Sequence, residues 1–113
     1  MGTTVAAAVV TNPVHLAIAI GYERELDPAP YILVMGEGVL AERIIKYAEQ
    51  FEIPVVRNIE LAHKLWRDGE IYEYIPEETY DAMAEILRWI ESLEGGAIDR
   101  EAIIGEYNER DHS

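Results

Sequence analysis

The segment from Tyr31 to Arg57 constrains the fold of this chain more than any other, because its hydrophobic period changes twice within it. Tyr31 to Met35 is apolar at every position, the pattern of a strand covered on both faces and therefore central in its sheet. From Val39 to Glu52 the apolar residues Leu40, Ile44, Ala48 and Phe51 recur at three- and four-residue steps with charges between them, which predicts an amphipathic helix lying on a sheet. Ile53 to Arg57 returns to strand character, with Pro54 tolerated near the start. A strand–helix–strand unit of this kind closes as a right-handed parallel crossover. The two strands are thus expected to be parallel neighbours in one sheet, bridged by the helix.

The remaining elements extend this unit. Thr3 to Thr11 and Leu16 to Tyr22 are apolar runs interrupted only by Asn12, Pro13, Val14 and His15, and Asn with Pro punctuates them into two strands joined by a tight turn. Arg24 to Pro30, with Asp27 and Pro28, is a loop. Asn58 is a good N-cap for a short helix from Ile59 to Arg67 that stops near Gly69. Pro76 falls in the first turn of a longer helix, where its missing N–H is harmless; this helix turns Tyr80, Met83, Leu87 and Ile90 to the core and ends at Gly95 and Gly96. With 113 residues, the chain can build one compact core and not two. The expected fold is α/β: a single domain over residues 1–94 with a four-stranded mixed sheet surrounded by helices. Residues 95–113 form a polar tail, either a frayed helix or an unstructured end.

Charge and composition exclude several functions. A formal net charge of −13, with only nine Lys and Arg in all, opposes nucleic-acid binding, which needs clustered cations against phosphate. The acidity reads as a solvated surface or as a face for a basic partner. The apolar runs around Val5–Val10 and Leu16–Ile20 fall far short of the roughly 20 residues a membrane-spanning helix needs. No basic region followed by an apolar stretch and a small-residue cleavage site opens the chain, so a cytoplasmic location is expected. The absence of cysteine rules out disulfides and thiolate metal sites.

Among motifs, Gly36, Glu37, Gly38 and Ala41 spell G-x-G-x-x-A between a predicted strand and a predicted helix, the setting of a dinucleotide fingerprint. The acidic residue that should end the next strand is missing, since Arg57 and Asn58 stand there. A glycine turn at a strand-to-helix junction accounts for the segment, and no cofactor is expected. His15, His63 and His112 lack metal-ligand spacing, so no metal is expected either. Glu77 and Glu78 suit a helix N-terminus, Glu23 and Glu25 are solvated loop charges, and Trp66 and Trp89 read as core or rim aromatics. No Ser–His–Asp or Cys–His arrangement supports turnover. What remains is Asn12-Pro13-Val14-His15, which by itself is also an ordinary Asn–Pro turn.

In the context of the whole chain, that tetrapeptide resembles the cytoplasmic domain of the FlhB and YscU family of type III secretion switch proteins. Members carry Asn-Pro-Thr-His directly after an apolar strand, as Val9, Val10 and Thr11 lead here into Asn12. Leu16 to Tyr22 looks like the family's next strand, and Pro30 to Gly36 like the one before its first helix. Ile53-Pro54-Val55-Val56 with Asn58, Leu61, Ala62 and Leu65, then Ile75-Pro76-Glu77-Glu78 with Tyr80 and Ala84, are similar to its later segments. Val14 replaces the usual Thr, Ile59 stands where a second Pro is usual, and the surface is unusually acidic. The membrane half and linker helix are absent, as in an excised fragment or a free-standing paralogue.

The resemblance implies a flagellar or injectisome export function: a domain at the cytoplasmic face of the inner membrane that helps change which substrates are exported. Its partners would be protein components and substrates of a type III export apparatus. Asn12, Pro13 and His15, with Val14 at the variable position, would form a self-cleavage loop between the first two strands. The chemistry is coherent. Pro13 has no N–H, so the usual attack of a following amide on the Asn side chain is closed. The Asn12 side-chain nitrogen can instead attack its own carbonyl, with His15 assisting. This is a single event per chain, not enzymatic turnover. The alternatives are an uncleaved partner-binding module and, more remotely, a nucleotide-binding domain.

Overall fold

The computed structural model describes residues 5–13 and 15–93. Val14 and the predicted tail over 95–113 lie outside them. Four strands, β1 (Ala8–Asn12), β2 (Leu16–Gly21), β3 (Tyr31–Glu37) and β4 (Val55–Arg57), form one mixed sheet in the order β3-β2-β1-β4. Helices α1 (Val39–Gln50), α2 (Ile59–Asp68) and α3 (Tyr80–Leu93) pack around it, the last entered through a 3₁₀ turn, Glu77–Thr79.

The alternation of side-chain size along β2 sets the two layers. Leu16, Ile18 and Ile20 point into a core shared with α2 and α3, where Leu61, Leu65, Met83 and Ile86 are buried. Ala17 and Ala19 point to the opposite face, where Ala41, Ile44 and Ala48 of α1 meet them. Small residues on both sides let α1 lie close to the sheet, and Gly36 adds to this. A Cβ on Gly36 would fall 2.5 Å from Leu40 Cγ and 3.0 Å from Ile44 Cδ1. The close approach corrects the expected helix face: Ala41, not Leu40, joins Ile44 and Ala48 in the core, while Leu40 and Phe51 are exposed. On α3, Met83, Ile86 and Ile90 are buried, whereas Tyr80 is exposed and Leu87 only half-buried.

Two topological expectations fail. β3 and β4 run in the same direction but are not neighbours; β1 and β2 lie between them, and β4 pairs in parallel with β1 through Val9↔Val55 and Val10↔Val56. The α1 connection therefore crosses the whole sheet. β3 is also an edge strand and not a central one. Its outer edge is partly covered by the segment before α3, with Tyr72 N donating to Ile32 O at 2.7 Å and Ile32 N to Glu73 O at 3.0 Å. Of its apolar side chains only Ile32 is fully buried, in the core shared with α2 and α3, while Val34 is exposed, so an unbroken apolar run does not require a central strand.

Asn58 caps α2 as expected, its Oδ1 accepting from Leu61 N at 3.0 Å, while its own N donates to Thr11 O at 3.1 Å. This second bond seats the first turn of α2 beside the C-terminal end of β1. At the other end of α2, the Arg67 guanidinium bonds Asp68 at 2.8 Å and Glu78 at 3.2 Å and holds the Asp68 carboxyl below its ordinary range. Among the described residues, no helix is long and apolar enough to cross a membrane.

Candidate functional site

The link between β1 and β2 is held from four directions. Thr11, only 4% exposed, donates its hydroxyl to Leu16 O at 2.7 Å and ties the two strands together at the base of the link. His15 N donates to Asn12 O at 2.9 Å and closes it. Gly38 N, at the start of α1, donates to His15 O at 3.0 Å and fixes the link from the sheet's next junction. From α2, His63 reaches across the end of β1 so that its Nε2 lies 3.1 Å from Asn12 Nδ2.

Two of these bonds bear on reactivity. The carbonyl of Asn12 receives a main-chain N–H, the donor type that stabilises negative charge developing on a carbonyl oxygen under attack. The Asn12 amide nitrogen can only donate, so the contact is a hydrogen bond in the His63 tautomer that carries its ring proton on Nδ1 and accepts at Nε2. Asn12 and Pro13 are half-buried, and His15 and His63 are exposed. The structure thus brings Asn12, Pro13 and His15 into one link, with His15 contributing through its main chain. His63, which the sequence presents only as a lone histidine without metal spacing, is the residue that meets the Asn12 side chain. Knowing that β4 and the α2 cap sit beside β1 would have pointed to it.

The Gly36–Ala41 segment has a packing reason for Gly36 and a backbone reason for Gly38. Gly36 admits α1, and Gly38 adopts φ 63° at the helix start with open space around it, a conformation that L side chains disfavour. Among the described residues, no group of three or more metal-ligating side chains occurs. Elsewhere, an open groove of about 630 Å³ runs between α3, the β2–β3 loop and the end of α1, lined by Ala29, Pro30, Phe51, Tyr80, Ala84 and Leu87 among others. Close to it, burial and the carboxylates of Asp27 and Glu23 push the Tyr31 phenol up.

Residues 3–90 match the model of the FlhB HrpN YscU SpaS family. The chain is 42% identical over 85 residues to the flagellar biosynthetic protein FlhB of Aquifex aeolicus, a match covering 75% of this chain and 24% of that protein. It therefore spans about a quarter of the length of such relatives. The cytoplasmic domain of FlhB from Shewanella putrefaciens superposes with a TM-score of 0.73 at 27% identity, over 78% of this chain and 72% of that one. A C-terminal domain of EscU with an asparagine replaced by alanine superposes with a TM-score of 0.72 at 32% identity, over 75% and 85%. The same EscU domain has also been solved with the proline that follows this asparagine replaced by alanine.

Proposed function

This chain belongs to the FlhB, HrpN, YscU and SpaS family, and we propose that it is the cytoplasmic switch domain of a type III or flagellar export apparatus, which cleaves itself once between Asn12 and Pro13. The observation that carries the reading is the Asn12 carbonyl held by the His15 N–H at the end of a buried strand. Asn12 Nδ2 attacks its own carbonyl carbon and closes a five-membered succinimide. The oxygen gathers negative charge against the His15 N–H, a contribution of about 3 kcal/mol for one such donor. Collapse breaks the bond to Pro13, whose nitrogen leaves with a proton from the His15 imidazole or solvent. No metal or cofactor enters, and no step uses a hydroxyl at Val14. The event occurs once per chain, without turnover.

The cut ends stay together in this reading. β1 is paired on both sides, with five partners on β2 from Ala8↔Ile20 to Asn12↔Leu16 and three on β4, and its residues through Thr11 are buried. Denaturing mass spectrometry of freshly folded protein should show one peptide ending at Asn12 and a second beginning at Pro13, while native sizing shows one species. Asn12→Ala should remain full-length and folded. Wild-type protein that keeps its full mass after prolonged incubation near neutral pH would sink the reading.

A second reading keeps the link intact and assigns the domain only to partner binding. The groove beside Ala29, Pro30, Ala84 and Leu87 favours it, because an apolar concave surface suits an export substrate or a component of the apparatus. A pull-down against the cognate apparatus, with Leu87→Glu as the comparison, tests that surface independently of cleavage.

A further inference from the structure

We propose that His63 is the general base of the cleavage step, taking a proton from Asn12 Nδ2 as that nitrogen attacks. The inference rests on the self-cleavage reading above and adds a residue to it. An amide nitrogen is a poor nucleophile because its lone pair is delocalised into the carbonyl, and forming the new C–N bond leaves it with a proton it must lose. The group 3.1 Å away is an imidazole nitrogen, within the reach a general base needs, and in the Nδ1-protonated tautomer it is an acceptor. His63 lies 51 residues from Asn12 in the chain. It is brought there by the parallel pairing of β4 with β1 and by the Asn58 cap that starts α2 at Thr11.

The step balances. One Nδ2 proton passes to His63 Nε2, the bond from Nδ2 to the Asn12 carbonyl carbon forms, and the carbonyl π pair moves to oxygen. When the pair returns, the bond to Pro13 breaks and the Pro13 nitrogen takes a proton as above. The imide keeps its one remaining N–H, and His63 returns its proton to solvent. His63 must be neutral at the start, so the reaction slows where imidazole is protonated. The charged groups around His63 are largely committed to one another. Glu60 pairs with Lys64 on the same helix, and Arg67 pairs with Asp68 and Glu78. From the neighbouring elements, Arg57 stands opposite Thr11 at the end of β4, and His15 lies beyond Asn12 in the link.

The test follows the full chain after a short pulse of cell-free synthesis, shifted to buffers from mildly acidic to mildly basic pH, with cleavage read by mass against time. His63→Ala, His63→Gln and Asn12→Ala are compared with wild type, and circular dichroism checks folding; His63 is exposed, so its variants should fold. The expected result is a wild-type rate that rises with pH through the imidazole range. His63→Ala should lose about 10²-fold or more in rate together with that dependence. His63→Gln should be equally slow, since it accepts a hydrogen bond but is no base, and added imidazole should partly restore His63→Ala. A His63→Ala rate matching wild type at every pH, with wild type cleaving, overturns the assignment of His63 alone. Recovery of the full rate and pH profile by His63→Gln also overturns it, by showing that a hydrogen bond suffices. If wild type stays intact throughout, the self-cleavage reading falls and His63 with it.

Discussion

Two junctions in this domain carry sequence motifs, and a hydrogen bond from Gly38 N to His15 O joins them. The Gly36–Ala41 junction spells a nucleotide fingerprint, yet each of its glycines answers to packing or to backbone geometry. The Asn12–His15 link looks like an ordinary turn, yet both Asn12 groups that the proposed cleavage would use have partners, the carbonyl on a main-chain N–H and the amide on an imidazole. A motif is informative about chemistry when atoms that would react are held by groups that stabilise the change. Residue identities at the right spacing are not enough. The link should therefore respond to substitutions through cleavage, and the junction through stability.

The largest effect is expected from Pro13→Ala. The substitution restores an N–H at position 13 and reopens attack on the Asn12 side-chain carbonyl, so most of the chain should stay full-length. Part of it should gain the mass of an amide-to-acid exchange, and peptide mapping would place that change at Asn12. Wild-type yields of both fragments from this variant would remove proline from the mechanism.

Gly36→Val acts on the junction alone. Its side chain would enter space held by Leu40 and the buried Ile44, and overpacking of this kind costs about 1–3 kcal/mol, measurable as a lower urea midpoint. Gly38→Ala meets no atom, so its cost comes only from the backbone at φ 63°, about 1–2 kcal/mol. A Gly36→Val variant as stable as wild type would show that the close approach of α1 is not what Gly36 provides, and a Gly38→Ala variant as stable as wild type would remove the backbone reason for Gly38.

How far the sequence discloses this arrangement differs between faces and edges. The Asn58 cap and the stop at Gly69 are local, and both are found where the pattern places them. Hydropathy reports whether a strand's faces are covered and is silent on which strand its backbone pairs with. β3 is apolar from Tyr31 to Met35 and is nevertheless an edge, its outer backbone met by the Tyr72–Ile75 segment while Val34 stays exposed. The misplaced Leu40 has a related cause: alanines on β2 and Gly36 draw α1 so close that Ala41 fits the contact where leucine would not. His63 was hidden for the same reason as the strand order. Its partner becomes visible only once β4 is known to lie against β1.

The smallest effect is expected from Thr11→Val, which tests whether the link needs its side-chain tie as well as its main-chain bonds. Valine keeps the β-branched shape that suits a buried strand position and loses only the hydroxyl that donates to Leu16 O at 2.7 Å. A lost hydrogen bond of this kind costs about 1 kcal/mol net, and burying a methyl in place of the hydroxyl offsets part of it. The urea midpoint should therefore fall less than for either glycine variant. Cleavage should slow by more than the stability change suggests, because the hydroxyl sits next to Asn12 and fixes where β2 departs from the link, while the global fold is spread over two cores. A Thr11→Val rate equal to wild type would show that His15 N and Gly38 N alone hold Asn12 in its reactive position, narrowing the dependence of the link to main-chain bonds and the His63 contact.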